Sequence, residues 1–190
     1  GLLRIGKNMF RSTSLFRFNL PDTILEIDDY AFAYLGTVSS QIGSVDRGTL
    51  VVPDSVVRIG HYAFYDADFY SSGYASYGVT IGSGVVEIGR YAFANNMDLH
   101  NVTIGKNVKR IFPYAFNKNG SRRYSNCRYT FEDPNGWWVS QDENATSGMS
   151  VDVTAGGQGL IDGQYKQTGL TWQNVTYYNG TYVNYYWNRN

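Results

Sequence analysis

Few residues of this chain could do covalent or metal chemistry, and their spacing argues against each use. There are two histidines, His61 and His100, and one cysteine, Cys127. One cysteine can neither close an intramolecular disulfide nor build a cysteine-type zinc site, so Cys127 is expected to be a buried structural thiol. Asp66 and Asp68 have the alternation of a calcium loop but lack its glycine and its distant glutamate. Gly1, Gly6 and Lys7 echo a phosphate loop, yet Asn8 stands where a Ser or Thr is required. No serine lies in a nucleophile-elbow sequence, and no pair of carboxylates is singled out for glycoside chemistry. His61 and His100 sit in unrelated contexts, and His61 is expected to be a solvent-facing residue. We assign no catalytic residue, metal site or cofactor, and read the chain as not an enzyme.

Composition argues against a role driven by bulk electrostatics. The 190 residues carry 16 Lys+Arg against 16 Asp+Glu, a formal net charge of zero. Nucleic-acid or membrane-surface roles driven by net positive charge are therefore not expected. Aromatics reach 16%, with 17 tyrosines, and charged residues only 17%, unlike a disordered chain. No apolar run of about 18 residues is present to span a membrane. The length suits one domain with a real core, or one domain with a small appendage.

What positions these residues is a repeat. Phe18 to Phe32 reads FNLPDTILEIDDYAF, Leu50 to Phe64 LVVPDSVVRIGHYAF, Val79 to Phe93 VTIGSGVVEIGRYAF, and Val102 to Phe116 VTIGKNVKRIFPYAF. A truncated fifth copy, LLRIGKNMF, runs from Leu2 to Phe10. The closing phenylalanines fall at 10, 32, 64, 93 and 116, gaps of 22, 32, 29 and 23 residues. The base period is about 23 residues, with insertions of about 9 and 6 residues in the two long gaps. These insertions, after Phe32 and after Phe64, are turn-rich and read as loops on one edge.

Within the unit, Phe18/Leu20, Leu50/Val52, Val79/Ile81 and Val102/Ile104 alternate as a short strand with one buried face. Pro21, Pro53, Gly82 and Gly105 then turn the chain. Ile24/Ile27, Val56/Ile59, Val85/Ile88 and Val108/Ile111 follow at a spacing that suits a short bent segment, either strand or 3₁₀ turn. Stacked coils bring equivalent residues together about 4.8 Å apart. Arg4, Glu26, Arg58, Glu87 and Arg110 then form a column of alternating sign, an expected exposed ionic ladder. Tyr30, Tyr62, Tyr91 and Tyr114 form a second column, read as stacked packing with hydroxyls at the rim or as a binding stripe.

These units resemble the P-x-S-V-x-x-I-G-x-x-A-F repeat of BspA-like leucine-rich-repeat cell-surface proteins, from Leu2 to about Glu132. Asp28 and Phe112 depart from the glycine after Ile, and Gly82 and Gly105 from the proline. The resemblance implies a right-handed leucine-rich-repeat solenoid with a parallel sheet on its concave face, here β-rich with short 3₁₀ or helical turns. It also implies a bacterial surface or secreted protein that adheres to host matrix or to other cells, and it brings no catalytic residues. The sheet's outward positions would be Arg17/Asn19, Thr49/Val51, Gly78/Thr80 and Asn101/Thr103, a small polar face without aromatic anchors. The chain opens on Gly1 in mid-unit, and we expect its native N-terminus, with any export signal or lipid anchor, to be missing.

We place the repeat region at 1–133 and a C-terminal β-rich cap or tail at 134–190, where no further copy is found. CRYTFEDP, from Cys127 to Pro134, reads as the last strand of the stack. Trp137, Trp138, Trp172 and Trp187 are expected to help close the end, since a terminal coil otherwise exposes its core. The candidate ligand contacts are Tyr65, Phe69, Tyr70, Tyr74 and Tyr77 around the second insertion, and Trp172 and Trp187 in the tail, because Tyr and Trp give large contact area at low entropy cost. The expected partners are protein or glycan ligands on host or neighbouring cells. The alternatives are a structural spacer presenting another domain and a carbohydrate-binding module using the terminal Trp and Tyr residues. Five N-x-S/T sequons, at Asn101, Asn119, Asn144, Asn174 and Asn179, are glycan acceptors only in a secreted eukaryotic protein; here they reflect composition.

Overall fold

Each unit holds only two or three consecutive β-formers between turn residues, so its strands are short and gain stability by pairing with the next coil. The computed structural model describes residues 1–15, 18–35, 49–67, 77–96, 99–117, 127–154, 164–167, 175–178 and 185–189. The strands are β1 (Arg4–Ile5), β2 (Glu26–Ile27), β3 (Leu50–Val52), β4 (Arg58–Ile59), β5 (Tyr77–Ile81), β6 (Glu87–Ile88) and β7 (Leu99–Ile104). They continue with β8 (Arg110–Ile111), β9 (Arg128–Phe131), β10 (Trp137–Ser140), β11 (Met149–Ser150), β12 (Gln164–Gln167), β13 (Val175–Tyr178) and β14 (Tyr186–Arg189). No helix occurs among the described residues.

Two parallel ladders run along the repeats. One has the order β3-β5-β7-β9, the other β1-β2-β4-β6-β8. Register follows the sequence alignment: Ile5, Ile27, Ile59, Ile88 and Ile111 are successive partners. So are Val52 and Ile81, and Ile104 and Phe131. At the start of β7 the register slips, leaving His100 as the extra residue of a bulge between Leu99 and Asn101. The strand expected at Phe18–Leu20 is not formed. Phe18 instead stacks on Phe32, centroids 4.7 Å apart.

A third set of bonds runs through the turn that ends each unit. Tyr30, Phe32 and Tyr34 donate their N–H groups to the carbonyls of His61, Ala63 and Tyr65 in the next coil, while Ala31 and Ala33 bond back within the turn. Tyr62, Phe64 and Asp66 repeat this toward Arg90, Ala92 and Ala94. The pattern requires left-handed backbone at two places per coil. Asn8, Tyr30, Tyr62, Tyr91 and Tyr114 occupy the first (φ 55–62°), and Ser12, Tyr34, Asp66 and Asn95 the second. Such φ values are unfavourable for bulky residues, and the bonds on both sides hold them there. Of the two forms expected for the bent segment, strand or 3₁₀ turn, the structure has the strand, at β2, β4, β6 and β8; the Ala-Phe segment that follows is a hydrogen-bonded turn.

Side chains between the ladders form one core. Phe10, Phe32, Phe64, Phe93 and Phe116 stack in a column with centroids 5.0–5.5 Å apart. The last four are buried, as are the paired Ile and Val residues and Cys127. Beyond the fifth coil the sheet continues with reversed direction. β14 pairs antiparallel with β8, matching Trp187 to Ile111, and β10 and β11 follow. Trp187 is 1% exposed and Trp137 3%; Trp137 donates Nε1–H to the Asp133 carbonyl at 3.0 Å. The two-stranded β12–β13 pair is antiparallel.

Candidate ligand-binding edge

The tyrosine preceding each Ala-Phe pair is held beside the turn by its left-handed backbone, one per coil. Tyr30, Tyr62, Tyr91 and Tyr114 stack with centroids 4.7, 4.9 and 4.9 Å apart and planes within 20° of parallel. All four are half-buried, unlike the phenylalanines two positions on. Tyr34 and Tyr65 extend the column sideways, edge-to-face at 5.4 Å, and Tyr65 also lies 5.5 Å from Tyr62. The Arg11 guanidinium stands over Tyr30 and Tyr34 at 5.2 and 5.4 Å, close enough for cation–π attraction. Burial pushes the Tyr62, Tyr65 and Tyr91 phenols above the ordinary tyrosine value, and the neighbouring phenols add to the rise. Stacking covers both faces of Tyr62 and Tyr91. What is left for a ligand is a row of ring edges and hydroxyls, flanked by Tyr34 and Tyr65.

Next to this column, side chains cap backbone groups from coil to coil. Asp29 Oδ1 accepts the His61 backbone N–H at 2.8 Å, and His61 Nδ1 accepts that of Arg90, also at 2.8 Å. Arg90 has no acceptor to offer, and the next residue in the column is Pro113, which has no N–H to satisfy. His61 is thus a half-buried structural acceptor rather than a free solvent-facing side chain. Its ring also lies edge-to-face against Phe112 at 5.2 Å. Arg90 turns its guanidinium to the Tyr186 hydroxyl at 3.1 Å, and that hydroxyl donates to Glu143 at 3.1 Å, tying the tail to the stack.

The alternating column is in full register from Arg4 to Arg110, but only two of its four steps close as ion pairs. Arg4–Glu26 and Arg58–Glu87 lie at 3.4 Å. Arg4 turns mainly to Asp28, with contacts of 2.7–2.9 Å. The hydrogen-bonded Arg4 guanidinium, with its charge, holds the Asp28 carboxyl below its usual value. Arg58 also reaches Asp28 and Asp29 at 4.0 and 3.8 Å, and Arg110 reaches Glu143 at 3.8 Å. Acids off the column compete for its arginines.

The expected contacts are dispersed. Tyr65 lies on the described edge, immediately before the second insertion. Tyr77 opens β5, its backbone paired with Leu99. Phe69, Tyr70, Tyr74 and Trp172, and Asp68 of the loose calcium pattern, lie outside the described residues. Trp187 is in the core against the fifth coil, where no ligand reaches its ring without opening the end of the stack. On the expected concave face, Thr49, Val51 and Asn101 are exposed, Thr80 and Thr103 half-buried and Gly78 buried; Arg17 lies outside the described residues. Among the described residues no group of three or more His, Cys, Asp or Glu side chains could hold a metal ion.

One residue at this edge differs from those at the equivalent described positions, Leu35 and Ala67. Asn96 is buried and donates Nδ2–H to the carbonyls of Phe64 and Phe93 at 2.9 and 2.7 Å. Its Oδ1 accepts the Ala67 N–H at 2.9 Å. It fastens the chain at Ala67, the last described residue before residue 77. A polar residue directly after an Ala-Phe-Ala-Asn turn was the available sign of it.

The match to a known family covers the repeats. The model of the BspA type leucine rich repeat region matches six copies, over residues 1–38 and 44–132. That is one copy more than the five aligned in the sequence, and β9 supplies the strand of a further unit. No match was found among curated proteins, and none among solved structures. The matched segments span about two thirds of the sequence and coincide with the coils whose ladders carry the tyrosine edge, so the chain belongs to the BspA type leucine-rich-repeat family.

Proposed function

We propose that this chain is the ligand-binding part of a bacterial cell-surface or secreted protein that adheres to host or neighbouring cells. It would do so as a right-handed solenoid of residues 1–133 closed by a cap of residues 134–190. Recognition lies on the edge formed by the tyrosine column, Tyr34 and Tyr65, together with the aromatic residues that follow Tyr65 in the sequence. The observation that carries this reading is the placement of Tyr65, which packs on Tyr34 and Tyr62 and leads directly into the segment holding Phe69, Tyr70 and Tyr74. Family membership supports binding repeats rather than catalysis. Proteins or matrix components fit the edge better than sugars do. A sugar ring stacks on an aromatic face, and here the faces of Tyr62 and Tyr91 are taken by their neighbours. Ring edges and hydroxyls suit the mixed polar and apolar surface of a protein.

The test is a binding screen against immobilised matrix proteins, mucins and polysaccharides. It compares the full chain with a variant lacking residues 69–76, which spares the β5 pairing of Tyr77, and with Tyr34→Ala/Tyr65→Ala. Saturable binding that falls in both variants, with circular dichroism unchanged, supports the reading. Binding that persists in both contradicts it. A second reading, a rigid spacer presenting another domain, is favoured by the unbroken register of the β1-β2-β4-β6-β8 ladder; absence of saturable binding to every surface would select it. Retention on polysaccharide alone, lost in Trp172→Ala, would select a carbohydrate-binding module.

A further inference from the structure

The residue before each of the first four members of the charge column is aliphatic and exposed. Leu3, Leu25, Val57 and Val86 are 57, 45, 48 and 40% exposed. They are joined directly by backbone bonds: Leu25 donates to Leu3, Val57 to Leu25 and Val86 to Val57 at 2.8–2.9 Å, and Lys109 donates to Val86 to end the row. The result is a continuous aliphatic stripe on four successive coils, bordered along its length by Arg4, Glu26, Arg58 and Glu87. Exposed aliphatics scattered singly need no explanation, but an aligned row bordered by ordered charge does.

We infer that this stripe is a self-association surface that pairs with the same stripe of a second, antiparallel copy. The evidence is the order of the charges. Two-fold pairing with the axis between the Leu25 and Val57 rungs sets Leu25 opposite Val57 and Leu3 opposite Val86 of the second copy. The same axis sets Glu26 opposite Arg58 and Arg4 opposite Glu87, so all four rungs meet opposite sign. An axis one rung further along also alternates correctly, but it buries Lys109 against Leu25. An axis through a rung sets like charges together everywhere. The contact is isologous and closes at two copies, whereas parallel copies shifted by one rung would grow into an open fibre. Four rungs extend about 15–20 Å, smaller than a standard interface, so the dimer is weak and concentration-dependent.

The test is sedimentation velocity of the full chain over a range of concentrations, with two charge variants. Glu26→Arg alone sets arginine against arginine on both sides of the axis, and Arg58→Glu alone sets glutamate against glutamate. Each single variant is expected to raise the dissociation constant at least about tenfold. An equimolar mixture of the two restores complementary pairs on both sides of the axis and recovers association. Val57→Asp is expected to abolish it, with the fold checked by circular dichroism. A wild-type chain that stays monomeric at every concentration, or a mixture that associates no better than the single variants, overturns the inference.

Discussion

Two aromatic columns run side by side through this molecule, built from residues two positions apart in the same units. The phenylalanine column and the tyrosine column stack with nearly the same spacing, 5.0–5.5 Å against 4.7–4.9 Å. Coil-to-coil hydrogen bonding dictates that spacing, so stacking alone says nothing about the use of a column. Burial separates them. The phenylalanines from Phe32 onward are sealed in the core, while the tyrosines are half-buried beside the turn. One column holds the coils together and the other faces what lies outside.

The largest expected effect is on the buried column. Phe64→Ala should cost about 3–5 kcal/mol by removing a ring with neighbours on both sides. Tyr62→Ala, at the same height in the stack, should cost less than half as much in urea unfolding. Comparable losses would break the distinction between the columns. Next comes Asn96→Ala, which removes the side-chain bonds to the carbonyls of Phe64 and Phe93 and to the N–H of Ala67. Removing one partner of buried hydrogen bonds of this kind costs about 2 kcal/mol. Loss of that size would show that Asn96 is a polar clasp that the aromatic packing of the columns does not replace.

Titration sharpens the comparison, since only one column can ionise. Tyr62, Tyr65 and Tyr91 have raised values in the folded chain. The folded state therefore keeps its protons longer than the unfolded state does. Stability from this source is complete below about pH 10 and is lost as the pH rises through the raised values. Tyr91→Phe should change neutral-pH stability by less than about 0.5 kcal/mol and should reduce the alkaline loss. Asp28 works in the opposite direction. Its lowered value gives a contribution that is full above about pH 4 and lost as the pH falls through it. Asp28→Asn should flatten the acid side of the urea-midpoint profile, the smallest effect of the set.

The columns were legible in the sequence because each depends only on the period. Once Phe64 aligns with Phe93 and Tyr62 with Tyr91, stacking follows. The ionic ladder was legible in its register and not in its bonds, because Asp28, Asp29 and Glu143 lie off the aligned position and compete for Arg4, Arg58 and Arg110. His61 was misread as a bland surface residue. Its role depends on a side chain in one coil meeting a backbone N–H in the next, a contact that no pattern of residue types within one unit reveals. Pro113, following Arg90, was the visible clue. The antiparallel docking of β14 on β8 was not legible either, since it occurs once and has no period.

The most direct measurement is hydroxyl-radical footprinting of the native chain, read residue by residue by mass spectrometry. Tyr129, buried beyond Phe116, serves as the protected reference. The expected result is oxidation of Tyr30, Tyr34, Tyr62, Tyr65, Tyr91 and Tyr114, with Phe32, Phe64, Phe93 and Phe116 protected to the level of Tyr129. Protection of Tyr62 and Tyr91 equal to that of Tyr129 would contradict the claim that the tyrosine column is a surface.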